Sequence, residues 1–257
     1  MSSTLASWTQ SAIRRGGLTA AAAGLSLIAP SSSIAAAEQL GARFPAIDNL
    51  DQPGVLSRYA YVNHPVTARI SPYWDARHVG RLTTKTQDRT DELVAIQART
   101  IDQDGRRWLK VSLPILPNGT TGWVPSSAIG EITKVRTWLR VDRAHLRLTL
   151  VRSGQVILRV PIAIGRSIWP TPPGRFYVRN RLRGRSLGAM YGPLAFGTSA
   201  RSAVLTDWPG GGVIGIHGTD RPRLVPGRVS HGCIRLRNTD ILRLARKLPL
   251  GTPITIT

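Results

Sequence analysis

Ser230-His231-Gly232-Cys233-Ile234-Arg235-Leu236 surrounds the only cysteine in the 257 residues of this chain. A second histidine, in His217-Gly218-Thr219, lies 16 positions before that cysteine. A thiol is mostly protonated at neutral pH, so it attacks carbonyl carbons well only where a neighbouring base or a positive field produces the thiolate. One cysteine next to one histidine and downstream of another therefore indicates a nucleophile with its base.

The residues around these groups alternate between apolar and polar, which predicts two β-strands. In the segment 213–217 the two isoleucines fall on one face and His217 falls on the other. The segment 233–236 alternates in the same way, so its aliphatic side chains would face a core while Cys233 and Arg235 share the open face. We therefore expect these two strands to present one histidine, one cysteine and one arginine to a single cleft.

Each of these residues also has a less specific interpretation. A lone cysteine can be a small buried side chain, or half of an intermolecular disulfide in an oxidising compartment. The His-Gly pairs before and beside Cys233 favour the nucleophile instead. For His231 a structural role is as well supported as a catalytic one, and Arg235 could be one more solvated arginine.

Zinc binding is a further alternative, because His217, Asp220, His231 and Cys233 all carry possible ligand atoms. A catalytic zinc needs three well-placed protein ligands and an open position. The chain has neither a His-Glu-x-x-His nor a Cys-x-x-Cys motif to support one, and a metal-bound thiolate would be a poor nucleophile. We therefore expect no metal and no other cofactor.

These residues resemble the L,D-transpeptidase (YkuD-type) family of bacterial cell-wall enzymes. Besides the two motifs quoted above, the resemblance rests on Asn238 and Asp240, the Pro172-x-Gly174-x-Phe176 turn, and Gly251-Thr252-Pro253. It covers residues 136–257, about the second half of the chain. It implies a β-rich catalytic domain with one short helix near the C-terminus.

The resemblance also implies a reaction and a set of roles. Cys233 would attack the third residue of a peptidoglycan tetrapeptide stem, expel D-alanine, and pass the acyl group to an amine of a second stem, which makes a 3-3 crosslink. His217 would act as the base. Backbone N–H groups around His231, Gly232 and Cys233 would stabilise the oxyanion. Further contacts to the peptide stem are expected from Ser230, Arg235, Tyr191 and Thr219.

The last part of the chain carries the clearest local signals. Segments 139–142, 146–151 and 156–160 alternate, with a turn at Ser153-Gly154, so they predict a hairpin-like meander. A helix is expected near residues 240–247, capped by Asn238 or Thr239 and ended by Pro249. A strand should follow at 253–257.

The first half predicts short strands separated by turns, within residues 55–135. This segment ends in Gly122-Trp123-Val124 and resembles a bacterial SH3-like domain. The resemblance implies a small barrel but no particular ligand, and Trp108 and Trp123 could equally well be core residues. The predicted fold class is thus mainly β: an SH3-like barrel at 55–135 followed by the catalytic domain at 136–257.

The N-terminus predicts export. Arg14-Arg15 precedes an apolar stretch at 18–30, and Ala35-Ala36-Ala37 offers a cleavage site, which is the order of a signal peptide. The apolar stretch has 13 residues, fewer than the roughly 20 that a membrane span needs. We expect an export signal at 1–37, a linker at 38–54, no membrane span after removal of the signal, and a location in the cell wall or a periplasm-equivalent space.

The net charge is +21, with 35 basic and 14 acidic residues. Such an excess usually indicates a polyanionic partner. The chain has no zinc-finger spacing, basic helix or glycine-aromatic RNA motif, so the charge favours an anionic cell-wall polymer over nucleic acid. The arginine-rich run 179–185 is predicted to be a solvated loop.

Two other function classes remain open at this point. A papain-like cell-wall endopeptidase also combines export, an SH3-like module and a Cys/His site, but it places cysteine before histidine, whereas His217 precedes Cys233 here. A wall-binding protein with a decayed site would be expected to have lost some of the candidate residues, and all of them are present.

Overall fold

The computed structural model describes residues 46–205 and 212–257. The predicted export signal at 1–37 and the first part of the predicted linker lie outside the described residues. The fold is mainly β, with two sheets and, within those ranges, one α-helix.

The first sheet has eight strands, in the order β4-β3-β7-β6-β5-β2-β8 with β1 paired to β5. They are β1 (Asp48–Asn49), β2 (Ser57–Tyr61), β3 (Val66–Arg69), β4 (His78–Leu82), β5 (Leu93–Ile101), β6 (Arg107–Ser112), β7 (Thr121–Pro125) and β8 (Thr133–Val135). The short strands predicted within residues 55–135 are confirmed. The end of the predicted linker is packed against this sheet, because β1 pairs with β5 and Leu50 is buried.

Two tryptophans belong to the core of the first sheet. Trp108 and Trp123 are buried together with Ala98, and the indole N–H of Trp108 donates to Asp102. Burial of a large aromatic side chain with its polar atom satisfied stabilises the fold. The core interpretation of both tryptophans is therefore confirmed.

The second sheet has ten strands, in the order β11-β10-β9-β18-β13-β14-β15-β17-β12-β16. They are β9 (Thr137–Asp142), β10 (Arg147–Arg152), β11 (Gln155–Pro161), β12 (Ala163–Gly165), β13 (Gly174–Arg183), β14 (Leu194–Arg201), β15 (Val213–His217), β16 (Gly227–Ser230), β17 (Ile234–Arg235) and β18 (Pro253–Ile256). Short 3-10 turns lie at Ser126–Ala128, Gly184–Ser186, Ala189–Tyr191 and Pro222–Leu224. The chain passes from the first sheet to the second between Val135 and Thr137.

The predicted meander is confirmed in β9, β10 and β11. Ser153 and Gly154 both have positive φ, 47° and 83°, as the two-residue turn that joins twisted strands requires. The aliphatic residues of these strands enter one buried core with those of β13–β15 and β18. The strand predicted at the C-terminus is confirmed as β18, which pairs with β9 and β13.

The predicted helix is confirmed as α1 (Asn238–Ala245), but the predicted cap is wrong. Arg237 occupies the cap position, and its side chain makes no capping hydrogen bond. Asn238 does not cap the helix, because its side-chain oxygen accepts a hydrogen bond from the backbone N–H of Thr219, across the fold.

The prediction of a solvated loop at 179–185 is also wrong. Residues up to Arg183 belong to β13, and Arg179 is buried, where its Nε–H and an Nη2–H donate to the two carboxylate oxygens of Glu92. Burying a charge requires a partner of opposite sign. That partner directly precedes β5 of the first sheet, 87 positions earlier in the chain, so no local pattern could reveal it.

The parallel pairing of β15 with β17 determines the position of the candidate site. Ile216 aligns with Ile234, and His217 aligns with Arg235. Both isoleucines are fully buried. Because side chains alternate along a strand, the residues next to them, His217, Cys233 and Arg235, point to the opposite face of the sheet. No helix in the described ranges is long and apolar enough to cross a bilayer.

Candidate active site

A cleft on the outer side of β15 and β17 brings together most of the residues singled out from the sequence. Its lining includes Tyr191, His217, His231, Cys233 and Arg235. Met190, Ser202, Leu205, Gly212, Val213 and Ile214 complete it. A thiol, two imidazoles and a guanidinium therefore converge on one concave surface.

Cys233 holds its thiol at the edge of β15. The backbone N–H of Gly215 donates to Sγ (3.3 Å), and the Sγ–H faces the carbonyl oxygen of Val213 (3.9 Å). Burial raises the pKa of the Cys233 thiol, while the Gly215 N–H and Arg235 oppose that increase. The resting group is therefore a thiol, and it needs a base before it can attack.

His217 has the properties of that base. It is 3% exposed, and Nδ1 lies 2.6 Å from the carbonyl oxygen of Gly218. A carbonyl oxygen can only accept, so Nδ1 carries the proton and Nε2 carries the free lone pair. Burial, helped by Arg235, lowers the pKa of His217 to about 4. The ring is thus neutral at neutral pH and able to take up a proton.

The cysteine and the histidine flank the same glycine. A Cβ atom built on Gly215 would lie 3.8 Å from Cys233 Sγ and 3.9 Å from His217 Cδ2. The thiol and the edge of the imidazole are therefore both within contact distance of this one position, and Gly215 places no side chain there.

The loop that carries Tyr191 packs against His217. The two ring centroids are 4.8 Å apart, with the ring planes tilted by 55°. Tyr191 ends a 3-10 turn, Ala189–Tyr191, and stays half-buried at the cleft wall. The imidazole is held between this aromatic ring and its own hydrogen bond to Gly218.

Asn238 fixes the two loops that hold His217. Its side-chain oxygen lies so close to Gly192 and Gly218 that a Cβ on either residue would approach it to 2.4 Å. The same oxygen accepts from the N–H of Thr219 (2.9 Å). Asn238 therefore ties the tyrosine loop to the histidine loop, and a side chain at Gly192 or Gly218 would push them apart.

The turn that presents Cys233 is supported by two hydroxyl groups. Ser230 Oγ donates to the carbonyl of Cys233 (2.6 Å) and accepts from the N–H of Gly232 (3.1 Å). Thr171 Oγ1 donates to the carbonyl of Gly232 (2.7 Å) and accepts from the N–H of Gly165 (3.0 Å). Gly232 has φ +113°, a conformation that L side chains rarely adopt. Position 232 therefore requires glycine, and the two hydroxyls hold its peptide groups in place.

We expect Thr171→Val to destabilise the protein, because it removes both hydrogen bonds of Thr171 while keeping the side-chain shape. The carbonyl of Gly232 and the N–H of Gly165 would remain buried without partners, at a cost of about 2 kcal/mol in the free energy of unfolding. Urea unfolding measures this change. Thr171→Ser keeps the hydroxyl and is the matched control; equal stability of the valine and serine variants would contradict the assigned role.

Two of the residues expected to contact substrate lie outside the cleft lining. Ser230 is 0% exposed and Thr219 is 1% exposed, so neither lines the cleft. Ser230 uses its hydroxyl inside the cysteine turn, and Thr219 accepts from the N–H of Arg221 with its own hydroxyl. Both hydroxyls are therefore engaged within the loops around the cleft. The N–H of Gly232 is likewise used, by Ser230.

His231 lies at the cleft wall, against two residues that sequence reasoning missed. Its ring centroid is 4.2 Å from that of Trp169, and the guanidinium of Arg166 lies 4.4 Å from the centre of the Trp169 ring. Arg166 also approaches His231 Nε2 (3.2 Å). Burial and then the charges of Arg166 and Arg235 lower the pKa of His231. Neutral His231 therefore forms, with Trp169 and Arg166, an aromatic and cationic rim of the cleft.

Arg235 provides the positive field next to the nucleophile. It is half-buried in the cleft, and its Nε has no hydrogen-bond partner among the described residues. Its charge opposes the burial that raises the pKa of Cys233, and it adds to the burial that lowers the pKa of His217. A partly buried arginine at this position can bind a carboxylate with two parallel hydrogen bonds.

No group of three or more His, Cys, Asp or Glu side chains in the described part of the chain could hold a metal ion. Asp220, which the zinc alternative would need, does not line the cleft. The donors that do converge there are suited to nucleophilic chemistry.

Comparisons with known proteins point to one family. The family profile of the L,D-transpeptidase catalytic domain (YkuD) matches residues 136–256. The putative L,D-transpeptidase YkuD of Bacillus subtilis is 37% identical over 42% of this chain and 58% of its own length. The putative L,D-transpeptidase YqjB of Bacillus subtilis is 33% identical over 46% of this chain and 69% of its own length.

Among solved structures, the catalytic domain of an L,D-transpeptidase from E. faecium is 26% identical, with a TM-score of 0.35, over 47% of this chain and 96% of that one. The chain spans about three fifths of the length of the first curated relatives that it matches.

Proposed function

Since this chain belongs to the L,D-transpeptidase family, we propose that it is a peptidoglycan L,D-transpeptidase with Cys233 as the nucleophile. The observation that carries the proposal is the shared cleft in which the thiol of Cys233 and the neutral imidazole of His217 flank Gly215. Arg235 adds a positive charge beside them. The substrate is a tetrapeptide stem, and the acceptor is an amine of a second stem.

In the acylation step, Sγ of Cys233 attacks the carbonyl carbon of the third stem residue. The Sγ proton passes to Nε2 of His217, the tetrahedral intermediate collapses to a thioester, and the bond to D-alanine breaks. The leaving amine takes the proton from His217. The pKa of His217, about 4, supports this transfer, because an imidazolium with a low pKa gives its proton up readily.

The raised pKa of Cys233 and the lowered pKa of His217 also set the resting state. Proton transfer from the thiol to the imidazole is uphill in the free enzyme, so a thiolate–imidazolium pair does not form before substrate binds. Attack and proton transfer are then coupled on the bound stem. This arrangement protects the thiol from side reactions.

The oxyanion needs donors that are not already used. Ser230 occupies the N–H of Gly232, so we take the backbone N–H of Cys233 as the candidate donor. The cysteine turn, held by Ser230 and Thr171, keeps this group in a fixed orientation. Preorganised donors of this kind stabilise developing charge without reorganising during the reaction.

Arg235 is proposed to bind a carboxylate of the stem, and Tyr191 to line the side of the cleft that the acceptor enters. In the second half-reaction the acceptor amine attacks the thioester, His217 takes its proton, and the thiol of Cys233 is restored. The product is an amide between two third residues, a 3-3 crosslink. Two stems thus give one crosslinked dimer and one molecule of D-alanine, and the free enzyme is regenerated.

The protein is proposed to act outside the cytoplasm, in the cell wall or the periplasm-equivalent space, where its stem substrate lies. The export signal predicted from the sequence at residues 1–37 agrees with this proposal. The segment 55–135 is proposed to be an SH3-like domain that accompanies the catalytic domain at 136–257. The strongly basic composition supports binding to an anionic cell-wall polymer.

Mass analysis of muropeptides tests the proposal. Purified protein mixed with a disaccharide-tetrapeptide should release D-alanine and produce a dimer linked through two third residues, which tandem mass spectrometry identifies. Release of D-alanine without a dimer would mean that water, and not a second stem, accepts the acyl group. Absence of any reaction with tetrapeptide, or cleavage at another bond, would contradict the assigned activity.

A further inference from the structure

The outer face of the second sheet carries a row of arginine and threonine side chains across five adjacent strands. Each member lies directly opposite the next in the strand pairing: Arg175 opposite Thr255, Thr255 opposite Arg140, Arg140 opposite Thr149, and Thr149 opposite Arg159. The strands are β13, β18, β9, β10 and β11, which are neighbours in the sheet. We refer to these five residues as the arginine–threonine row.

The row faces solvent. Its sequence neighbours, among them Leu139, Leu148 and Leu158, enter the buried core, so alternate residues point away from that core. Arg140, Arg159 and Arg175 are exposed, and Thr149 and Thr255 are half-buried between them. The row shares no residue with the cleft that holds Cys233.

The charge of this face is not neutralised within the described part of the chain. Arg140 and Arg159 have no acidic partner there, and neither has Arg147, the next outward residue of β10. Asp142 lies opposite Arg147 in the strand pairing, and its carboxylate contacts His145 (2.7 Å) instead of that arginine. At the other end of the row Arg175 pairs with Asp51 (3.1 Å).

The face is concave around the row. Residues of β9, β10 and β18 line a hollow of about 580 Å³, and a second hollow of about 390 Å³ shares Arg147 and Arg159 with it. Trp138 closes one side, with its indole N–H donating to Thr255 Oγ1 (2.8 Å) and the Arg175 guanidinium 5.4 Å from its ring centre.

The spacing of the cations fits a linear polymer that lies across the strands. Neighbouring strands are about 4.8 Å apart, so successive arginines of the row are about 10 Å apart and the whole row is about 19 Å long. Arginine binds carboxylates with a planar pair of donors. The threonine hydroxyls between the arginines can donate to or accept from sugar hydroxyls.

From this arrangement we infer that the arginine–threonine row binds peptidoglycan, through the free carboxylates of its peptide stems, and holds the polymer while a stem enters the Cys233 cleft. The inference rests on the proposed function for the choice of polymer. Charge complementarity carries it. Arg140 and Arg159 of the row and the adjacent Arg147 form no ion pair among the described residues, and they face a polymer whose carboxylates repeat along the chain.

Co-sedimentation with insoluble peptidoglycan tests the inference. The full chain with Cys233→Ala is used as the parent, so the result does not depend on turnover and is separate from a failure of the proposed activity. Combined Arg140→Gln, Arg147→Gln and Arg159→Gln should raise the dissociation constant at least about tenfold at physiological salt. Neutralising the stem carboxylates by carbodiimide coupling to methylamine should weaken the parent protein to a similar extent.

The matched control removes the same number of charges elsewhere. Arg81, Arg107 and Arg246 are exposed, and changing all three to Gln should leave the dissociation constant within about twofold. Thermal unfolding shows whether both triple variants remain folded. An equal loss of affinity in the two triple variants would show that only the net charge of the protein matters for binding, and it would overturn the inference. Undiminished binding to the neutralised polymer, or tighter binding to polyphosphate, DNA or anionic vesicles, would overturn the choice of polymer.

Discussion

Replacing Cys233 with alanine should lower the rate of D-alanine release by about ten-thousand-fold or more, because the only thiol of the chain is lost. His217 and Arg235 can still bind and polarise the stem, but no thioester forms. The loss should appear in the maximal rate, measured by D-alanine release from a disaccharide-tetrapeptide. Binding of the stem should change little, since the thiol contributes little to ground-state contacts.

Cys233→Ser is the informative companion to the alanine variant. An alcohol ionises far less readily than a thiol, and a base with a pKa near 4 is too weak to activate it. The serine variant should therefore be almost as inactive as the alanine variant, while both unfold at nearly the wild-type temperature. D-alanine release by Cys233→Ala at the wild-type rate would refute the assignment of the nucleophile.

Replacing His217 with glutamine should lower the rate by about a hundred- to ten-thousand-fold, since a general base and acid is lost while the thiol remains. In the wild type, activity should fall as the pH drops through about 4, where His217 gains its proton and can no longer accept one from Cys233. The residual activity of the variant should lack that acid limb. A pH profile of D-alanine release decides between this role and a purely structural one.

The same pKa shift predicts the effect of pH on stability. His217 titrates near 4 in the folded protein and near 6.5 in the unfolded chain. Between these values the unfolded chain binds the proton and the folded protein does not. The contribution of neutral His217 to the free energy of unfolding is therefore complete above pH 6.5. It is lost as the pH falls towards 4, by up to about 3 kcal/mol.

Urea unfolding at pH 7 and pH 4.5 measures this loss. His217→Gln should remove most of the difference between the two pH values. The control is His145→Gln, which changes an exposed histidine paired with Asp142. This variant should lose as much stability between pH 7 and pH 4.5 as the wild type, because His217 is still present. If His217→Gln loses as much stability on acidification as the wild type, the buried neutral imidazole is not the source of the acid-induced loss of stability.

Local patterns were enough for the elements that carry the site. The alternation of β15 identified the outward side of His217, and the turn at Ser153-Gly154 identified the β10–β11 hairpin, because both signals lie within a few residues. The helix α1 was predicted by its apolar stripe. Its cap was wrong because Asn238 binds a loop 19 positions earlier, which no local rule describes.

The residues that were missed act over long sequence separations. Thr171 reaches Gly232 across 61 positions, and Arg166 reaches His231 across 65. Ser230 and Thr219 were expected to contact substrate because they lie beside catalytic motifs, yet the packing of the loops buries both. A polar residue next to a nucleophile can serve the turn as well as the ligand, and only the fold distinguishes the two.

We expect the sulfur of Cys233 to form a covalent bond to the stem, and intact-protein mass spectrometry detects that bond directly. Wild-type protein is mixed with a disaccharide-tetrapeptide whose side-chain amine has been acetylated, so that no acceptor is present, and is then quenched in acid and mapped by proteolysis. We expect a protein heavier by the substrate minus D-alanine, with the added mass on the peptide containing Cys233 and absent from Cys233→Ala. An adduct on another residue, or one that persists in the alanine variant, would contradict it.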